Sequence, residues 1–107
     1  MAVSRTDRRR HARFPLGLPV GVQLAGRRTP LMVELLDVSE SGARFQSLGA
    51  DVRVADRATF GFVVPDQPSC QAHGSVVRAD RSGQFVVALD DTNDAFMGFI
   101  RLLEAEG

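Results

Sequence analysis

Residues 31–46 run Leu31-Met32-Val33-Glu34-Leu35-Leu36-Asp37-Val38, then Ser39-Glu40-Ser41-Gly42, then Ala43-Arg44-Phe45-Gln46. The first eight are apolar on both faces at their start, as a well-covered strand requires. Four small or polar residues then interrupt the run, and Ala43 and Phe45 resume in alternation with Arg44 and Gln46. A strand, a polar turn and a second strand follow from this pattern. The same period of two recurs on both sides. Upstream, after Pro15 and Pro19, Val20, Val22 and Leu24 alternate with Gly21, Gln23 and Ala25, and Gly26-Arg27-Arg28 turns the chain. Downstream, residues 48–56 form a longer connection. Ala58, Phe60, Phe62 and Val64 then share one face of a fourth strand, and Pro65-Asp66-Gln67-Pro68 supplies a turn. Cys70 to Ala79 reads as a fifth strand with Gly74 a bulge or bend. Ser82-Gly83 turns it into a sixth, Phe85 to Leu89.

The period changes only at the end. Asp91, Thr92 and Asn93 are candidate N-caps, and Phe96, Phe99, Ile100 and Leu103 follow at helical spacing. An amphipathic helix over residues 93–105 is predicted, weakened by Gly98, which costs about 1 kcal/mol relative to Ala. The fold class expected is all-β: a small six-stranded antiparallel barrel, with a C-terminal α-helix covering an opening or flank. Residues 1–14 form an arginine-rich arm of low periodicity, expected to be flexible, and residues 15–107 the barrel domain.

Composition limits the function. The chain has 107 residues, enough for one domain, with 44% hydrophobic and 24% charged residues. Thirteen basic residues balance thirteen acidic ones, so a broad basic surface for nucleic acid is not expected. The balance is uneven, however: Arg5, Arg8, Arg9, Arg10 and Arg13 stand against Asp7 alone in the first thirteen residues. Every basic residue is Arg, the side chain that forks onto phosphate and stacks on flat rings. The single cysteine, Cys70, excludes an internal disulfide and a multi-cysteine zinc site. No apolar run reaches the length of a membrane span, and the basic N-terminus lacks the apolar segment of a secretory signal; a cytoplasmic location is expected.

Two stretches carry the chemistry. Arg9-Arg10-His11-Ala12-Arg13 has the spacing R-x-x-x-R, and Asp37-Val38-Ser39-Glu40-Ser41-Gly42 has the spacing D-x-S-x-x-G. Alone, the first is what any arginine-rich arm produces and the second is any polar turn, since Asp and Ser commonly bond nearby backbone. Paired in this order, on an arm and at the end of a strand, they resemble the PilZ family, whose members bind bis-(3′,5′)-cyclic diguanylate. The resemblance spans nearly the whole chain, including the barrel and its terminal helix. It implies a receptor with Arg9, Arg13, Asp37, Ser39 and Gly42 as ligand-binding residues. Arg8 and Arg10 are additional candidates, which in the family can let the site hold a stacked pair of ligands. One stretch departs from the family's pattern: Ala88 stands where a glycine is usual near the last strand, and the accompanying aromatic is absent or displaced to Phe85.

The chemistry suits that ligand, a dianion with two phosphates and two guanines. An arginine fork meets guanine O6 and N7 with two hydrogen bonds, and its plane stacks on the base. A carboxylate accepts from guanine N1–H and N2–H. Asp37 and Ser39, two apart on a strand, would project from one face, and Gly42 would permit a positive φ or close backbone approach. No cofactor, metal site or catalytic residue is expected. His11 has no partner at a suggestive spacing, His73 falls on an outward position, and Cys70 shares the buried parity of Ala72 and Val76. Asp90, Asp91 and Asp94 fit a helix start better than a cation site. The implied function is a cyclic di-GMP receptor acting in trans on an unidentified protein partner, in motility, attachment or exopolysaccharide output, with no nucleic acid and no membrane insertion. The alternatives are a PilZ-like interaction adaptor that binds no nucleotide, and a small-barrel single-stranded nucleic-acid binder; the latter class stacks bases on surface aromatics, whereas the Phe residues here fall mostly on buried faces.

Overall fold

The computed structural model describes residues 13–48 and 51–106. Six strands appear in chain order: β1 (Phe14–Leu24), β2 (Leu31–Val38), β3 (Gly42–Gln46), β4 (Arg57–Phe62), β5 (Cys70–Ala79) and β6 (Gln84–Thr92). A helix, α1 (Asp94–Glu106), follows. All pairings are antiparallel and the sheet closes on itself in the order β1-β2-β3-β6-β5-β4. The expected all-β barrel with one C-terminal helix is the fold observed.

The alternating apolar positions fill the barrel. Val20, Val22, Leu24, Leu35, Val38, Phe45, Phe60, Val76, Phe85 and Val87 are all buried. Phe45 stacks on Phe85 with ring centroids 5.0 Å apart and meets Phe60 edge-on at 4.9 Å, arrangements that add to simple burial. Helix α1 continues this aromatic column. Phe96 is fully buried and meets Phe60 and Phe62 edge-on, and Phe99 meets Phe62 at 5.2 Å. Of the three candidate caps, Asn93 is the one used. Its Oδ1 accepts the Phe96 N–H at 2.9 Å and the Gln71 N–H at 3.1 Å, while its Nδ2 donates to the Ser69 carbonyl. One side chain therefore starts the helix and ties it to β5.

Strand β1 begins at Phe14, earlier than the alternation starting at Val20 indicates. Its first half pairs with β2 alone, since pairing with β4 covers only Gly21–Leu24. Pro15 and Pro19 are tolerated in such a one-sided stretch. Gly17, at φ +72°, accompanies a register shift between Pro15 and Leu18. Val64 lies beyond the end of β4 yet still packs on the core.

Further bulges shape the sheet. In β2, Leu35 faces Phe45 but Asp37 faces Arg44, so Leu36 is an extra residue. In β5, Val76 faces Val87 but Arg78 faces Val86, so Val77 is extra. A register shift also falls between His73 and Gly74, but its extra residue is Asp90 on β6 rather than the Gly74 expected. There the backbones of β5 and β6 come so close that a Cβ on Gly74 would sit 2.0 Å from the Ala88 carbonyl oxygen. Ala88 keeps its own side chain exposed, so the close approach falls to Gly74 rather than to the position where the family pattern has its glycine.

The surface carries its own ties between strands. Arg57 on β4 donates to Asp90 on β6 through both terminal nitrogens, at 2.6 and 3.3 Å, and to the Ser75 hydroxyl on the intervening β5 at 2.8 Å. That hydrogen bonding holds the Asp90 carboxyl below the usual carboxylate range. At the β5–β6 turn the Ser82 hydroxyl does the same for Asp80.

Two glycine replacements separate these structural roles. Gly74→Ala is expected to destabilise the barrel by about 1–3 kcal/mol, the cost of overpacking a filled site. Gly98→Ala meets no atom within 4 Å and is expected to stabilise by about 1 kcal/mol, the helix-propensity difference. Urea unfolding monitored by circular dichroism measures both.

Candidate ligand-binding site

Alternation along β2 assigns Asp37 the same parity as Val33 and Leu35, whose side chains fill the barrel. The bulge at Leu36 breaks that phase. It sets Asp37 opposite Arg44, an exposed residue between the buried Ala43 and Phe45, and returns Val38 to the core opposite Ala43. Asp37 thus reaches the outer surface, where it is covered by guanidinium groups. Arg13 donates through Nη1 to Oδ1 at 2.9 Å, and Arg44 through Nη2 to Oδ2 at 2.5 Å. The Asp37 side chain is 7% exposed, whereas those of Arg13 and Arg44 are 38% and 45% exposed. The anion is shielded and the two cations remain open to solvent. A concavity of about 370 Å³ is lined by Arg13, Asp37, Arg44, Arg78 and Val86. Three cations against one carboxylate make it an electropositive cup, within the size range of small-molecule sites.

Ser39 acts on the turn. Its Oγ accepts the Gly42 N–H at 3.0 Å and the Ser41 N–H at 3.3 Å and lies 3.3 Å from the Gly42 carbonyl, to which it donates. Its own N–H donates to the same carbonyl at 2.8 Å. This hairpin ends β2, begins β3 and docks on β6 through the Leu89 N–H to the Ser41 carbonyl. Of the two roles expected for Gly42, the positive φ is not adopted; a Cβ there would lie 3.4 Å from the Val87 carbonyl oxygen and 3.9 Å from Ser39 Oγ, in ordinary contact. Asp37 and Ser39 are not presented side by side, because the strand ends between them and the hydroxyl turns into its own loop.

Among the residues anticipated from sequence, the structure brings Arg13 and Asp37 into direct contact, with Ser39 and Gly42 holding the turn beside them. Arg8, Arg9 and Arg10 lie outside the described residues, as does His11. Sequence reasoning missed Arg44, Arg78 and Val86. A signal existed: an apolar pair followed by a charge on the interior parity and then another apolar residue, as in Leu35-Leu36-Asp37-Val38 and Val76-Val77-Arg78-Ala79. Each marks a phase slip in an otherwise alternating strand.

Other reactive groups are placed for structure. Cys70 is buried and burial pushes its thiol pKa up, which leaves it a poor nucleophile. His73 Nδ1 lies 2.9 Å from Thr59 Oγ1 across β4 and β5. Among the described residues no group of His, Cys, Asp or Glu is arranged to hold a metal ion, and no helix is long and apolar enough to cross a membrane.

The turn's dependence on one hydroxyl is testable. Ser39→Ala leaves the buried Gly42 N–H without its partner and is expected to cost about 1–3 kcal/mol of stability, read by urea unfolding. Ser39→Thr, which keeps the acceptor, is expected to restore most of it.

Comparison with known proteins adds one match. No curated protein matches the chain, but the family model described as PilZ domain matches residues 7–104, a span that includes both motifs. A match over nearly the whole chain, joined to the closed six-stranded barrel and the terminal helix, establishes that this chain belongs to the PilZ domain family.

Proposed function

We propose that this protein is a receptor for cyclic di-GMP whose site is the electropositive cup around Asp37, closed by the arm that carries Arg9. The observation that carries this reading is the pairing of each Asp37 oxygen with a different arginine on the outer surface of the barrel. A carboxylate held in this way is already arranged to accept two N–H donors, and the Watson–Crick edge of guanine supplies N1–H and N2–H side by side. The displaced guanidinium groups, together with that of Arg9, then meet phosphate oxygens and the guanine O6 and N7. Ser39 and Gly42 keep the hairpin that sets Asp37 in place, and Arg8 and Arg10 are positioned in sequence to assist a second, stacked ligand.

The role proposed is regulatory. Engagement of the bound ligand by the arm's arginines would change the surface offered to a protein partner, so the signal passes by contact in trans, in the motility, attachment or exopolysaccharide systems to which PilZ proteins are tied. Base stacking on a single-stranded nucleic acid finds less support. Phe45, Phe60, Phe62, Phe85 and Phe96 are all buried, which removes them as a stacking platform.

Calorimetric titration tests the reading. Wild-type protein is expected to bind cyclic di-GMP saturably and GTP far more weakly. Arg9→Ala with Arg13→Ala is expected to abolish binding, and Asp37→Ala to lose about 10- to 100-fold, as fits a charge-assisted hydrogen bond of about 1.5–3 kcal/mol. Two ligands per chain would support the stacked pair and one would remove it. Absence of binding by folded protein overturns the reading in favour of an adaptor that works through constitutive protein contact.

A further inference from the structure

The two recognised motifs account for only one end of the cup. Asp37 lies on β2, and Arg13 approaches it from the start of β1. The remaining lining residues belong to three other strands and to neither motif. They stand in one row across the sheet. Asp37 faces Arg44, Arg44 faces Val86, and Val86 faces Arg78. Directly opposed residues share a face of the sheet, so this row is continuous on the outer surface. With strands about 4.8 Å apart, the three intervals from β2 to β5 span about 14 Å.

Both ends of the row depend on bulges. Without the extra Leu36, Asp37 would keep the inward parity of Leu35. Without the extra Val77, Arg78 would keep the inward parity of Val76. Two strands that are neighbours of the β3–β6 pair, one on each side, thus each carry an extra residue that turns a charged side chain into the same row. Bulges recur beside functional sites for this purpose. The chemistry along the row is also graded. Asp37 is neutralised by Arg13 and Arg44, while Arg78 is exposed and makes no ion pair among the described residues. Its neighbour Asp80 has Oδ1 occupied by the Ser82 hydroxyl and by the Ser82 and Gln84 N–H groups. Val86, half-buried between Arg44 and Arg78, is an apolar floor flanked by two guanidinium groups.

We infer that Arg44, Val86 and Arg78 form a second subsite, which takes the half of a two-base, two-phosphate ligand that lies away from Asp37. This rests on the cyclic di-GMP reading above and deepens it. One guanine and its phosphate occupy the Asp37–Arg13 end. The other base lies over Val86, and Arg78 meets the second phosphate or stacks on that base. Arg44, in the middle, serves both halves.

The test uses calorimetric titration with cyclic di-GMP at low and moderate salt. Arg78→Glu is the informative variant, because an exposed side chain without an ion pair among the described residues is replaced at little risk to folding. It is expected to weaken binding by at least about tenfold, the value of one charge-assisted hydrogen bond, and to reduce the salt dependence. Arg101→Glu, on the exposed face of α1, makes the same change in net charge and is expected to bind like wild type. Arg44→Gln is expected to weaken binding as well. Wild-type binding that Asp37→Ala weakens but Arg78→Glu leaves intact overturns the second subsite and spares the receptor reading. An equal loss in Arg101→Glu also overturns it, since net charge alone would then explain the effect. Failure of wild type to bind overturns both.

Discussion

An ionised carboxylate cannot sit unpaired in the apolar interior of a small barrel. Desolvation of that kind is among the largest penalties a fold can meet. Strict alternation along β2 would put Asp37 there, on the parity of Val33 and Leu35. The extra residue at Leu36 resolves the conflict and has two results at once. Val38 takes the interior position, completing the core opposite Ala43, and Asp37 emerges opposite Arg44. The bulge at Val77 does the same for Arg78 on β5. The electropositive cup is therefore a product of the way the sheet accommodates charges within apolar strands. If either strand ran without its bulge, a charge would be forced inward and the row across β2, β3, β6 and β5 would be lost.

Holding that phase requires rigid ends, because a slip of one residue exchanges the two faces of a strand. Ser39 supplies one. Its hydroxyl is satisfied wholly within residues 39–42, so the β2–β3 hairpin can close in one register, with Val38 opposite Ala43. Gly74 supplies another, by letting β5 approach the Ala88 carbonyl more closely than any side chain would permit. The Asn93 cap and the aromatic column through Phe45, Phe60 and Phe96 anchor the remaining wall. The concavity itself contains few apolar side chains. Its shape is imposed by the core behind it, which is what allows exposed arginines to be placed with some accuracy.

Much of this was legible in the sequence. Alternation located β2 through β5 and the start of β6, and the helical stripe located α1, because each depends on local periodicity; the cap was narrowed only to Asp91, Thr92 and Asn93. Arg13 and Asp37 stood out through their spacing. Arg44 and Arg78 did not, since their relation to Asp37 exists only through pairing between strands distant in the chain. Register is a tertiary property that one sequence does not encode locally. The early start of β1 was hidden for a different reason. Pro15, Gly17 and Pro19 resemble loop punctuation, and only the absence of a β4 partner along that stretch makes them acceptable in a strand. The role of Ser39 was obscured by the assumption of an unbroken strand, which placed it beside Asp37 when the chain had already turned.

The covering of Asp37 by two guanidinium groups has a consequence for selectivity. Each oxygen holds one guanidinium group and only 7% of the side chain is exposed, so a ligand on the proposed reading reaches the carboxylate by displacing those groups. A simple anion drawn in by Arg13, Arg44 and Arg78 would gain their attraction but would also face the carboxylate, with nothing to offer it. A guanine edge brings two N–H groups to the same oxygens and releases guanidinium groups toward the phosphates attached to it. The carboxylate thus turns a general affinity for negative charge into a preference for molecules that combine negative charge with paired donors. Removing Asp37 would then affect two quantities in opposite directions, lowering affinity for guanine nucleotides while raising it for inorganic phosphate. That reversal is the behaviour expected of a residue that acts as counter-charge in the free protein and as a recognition group in the complex.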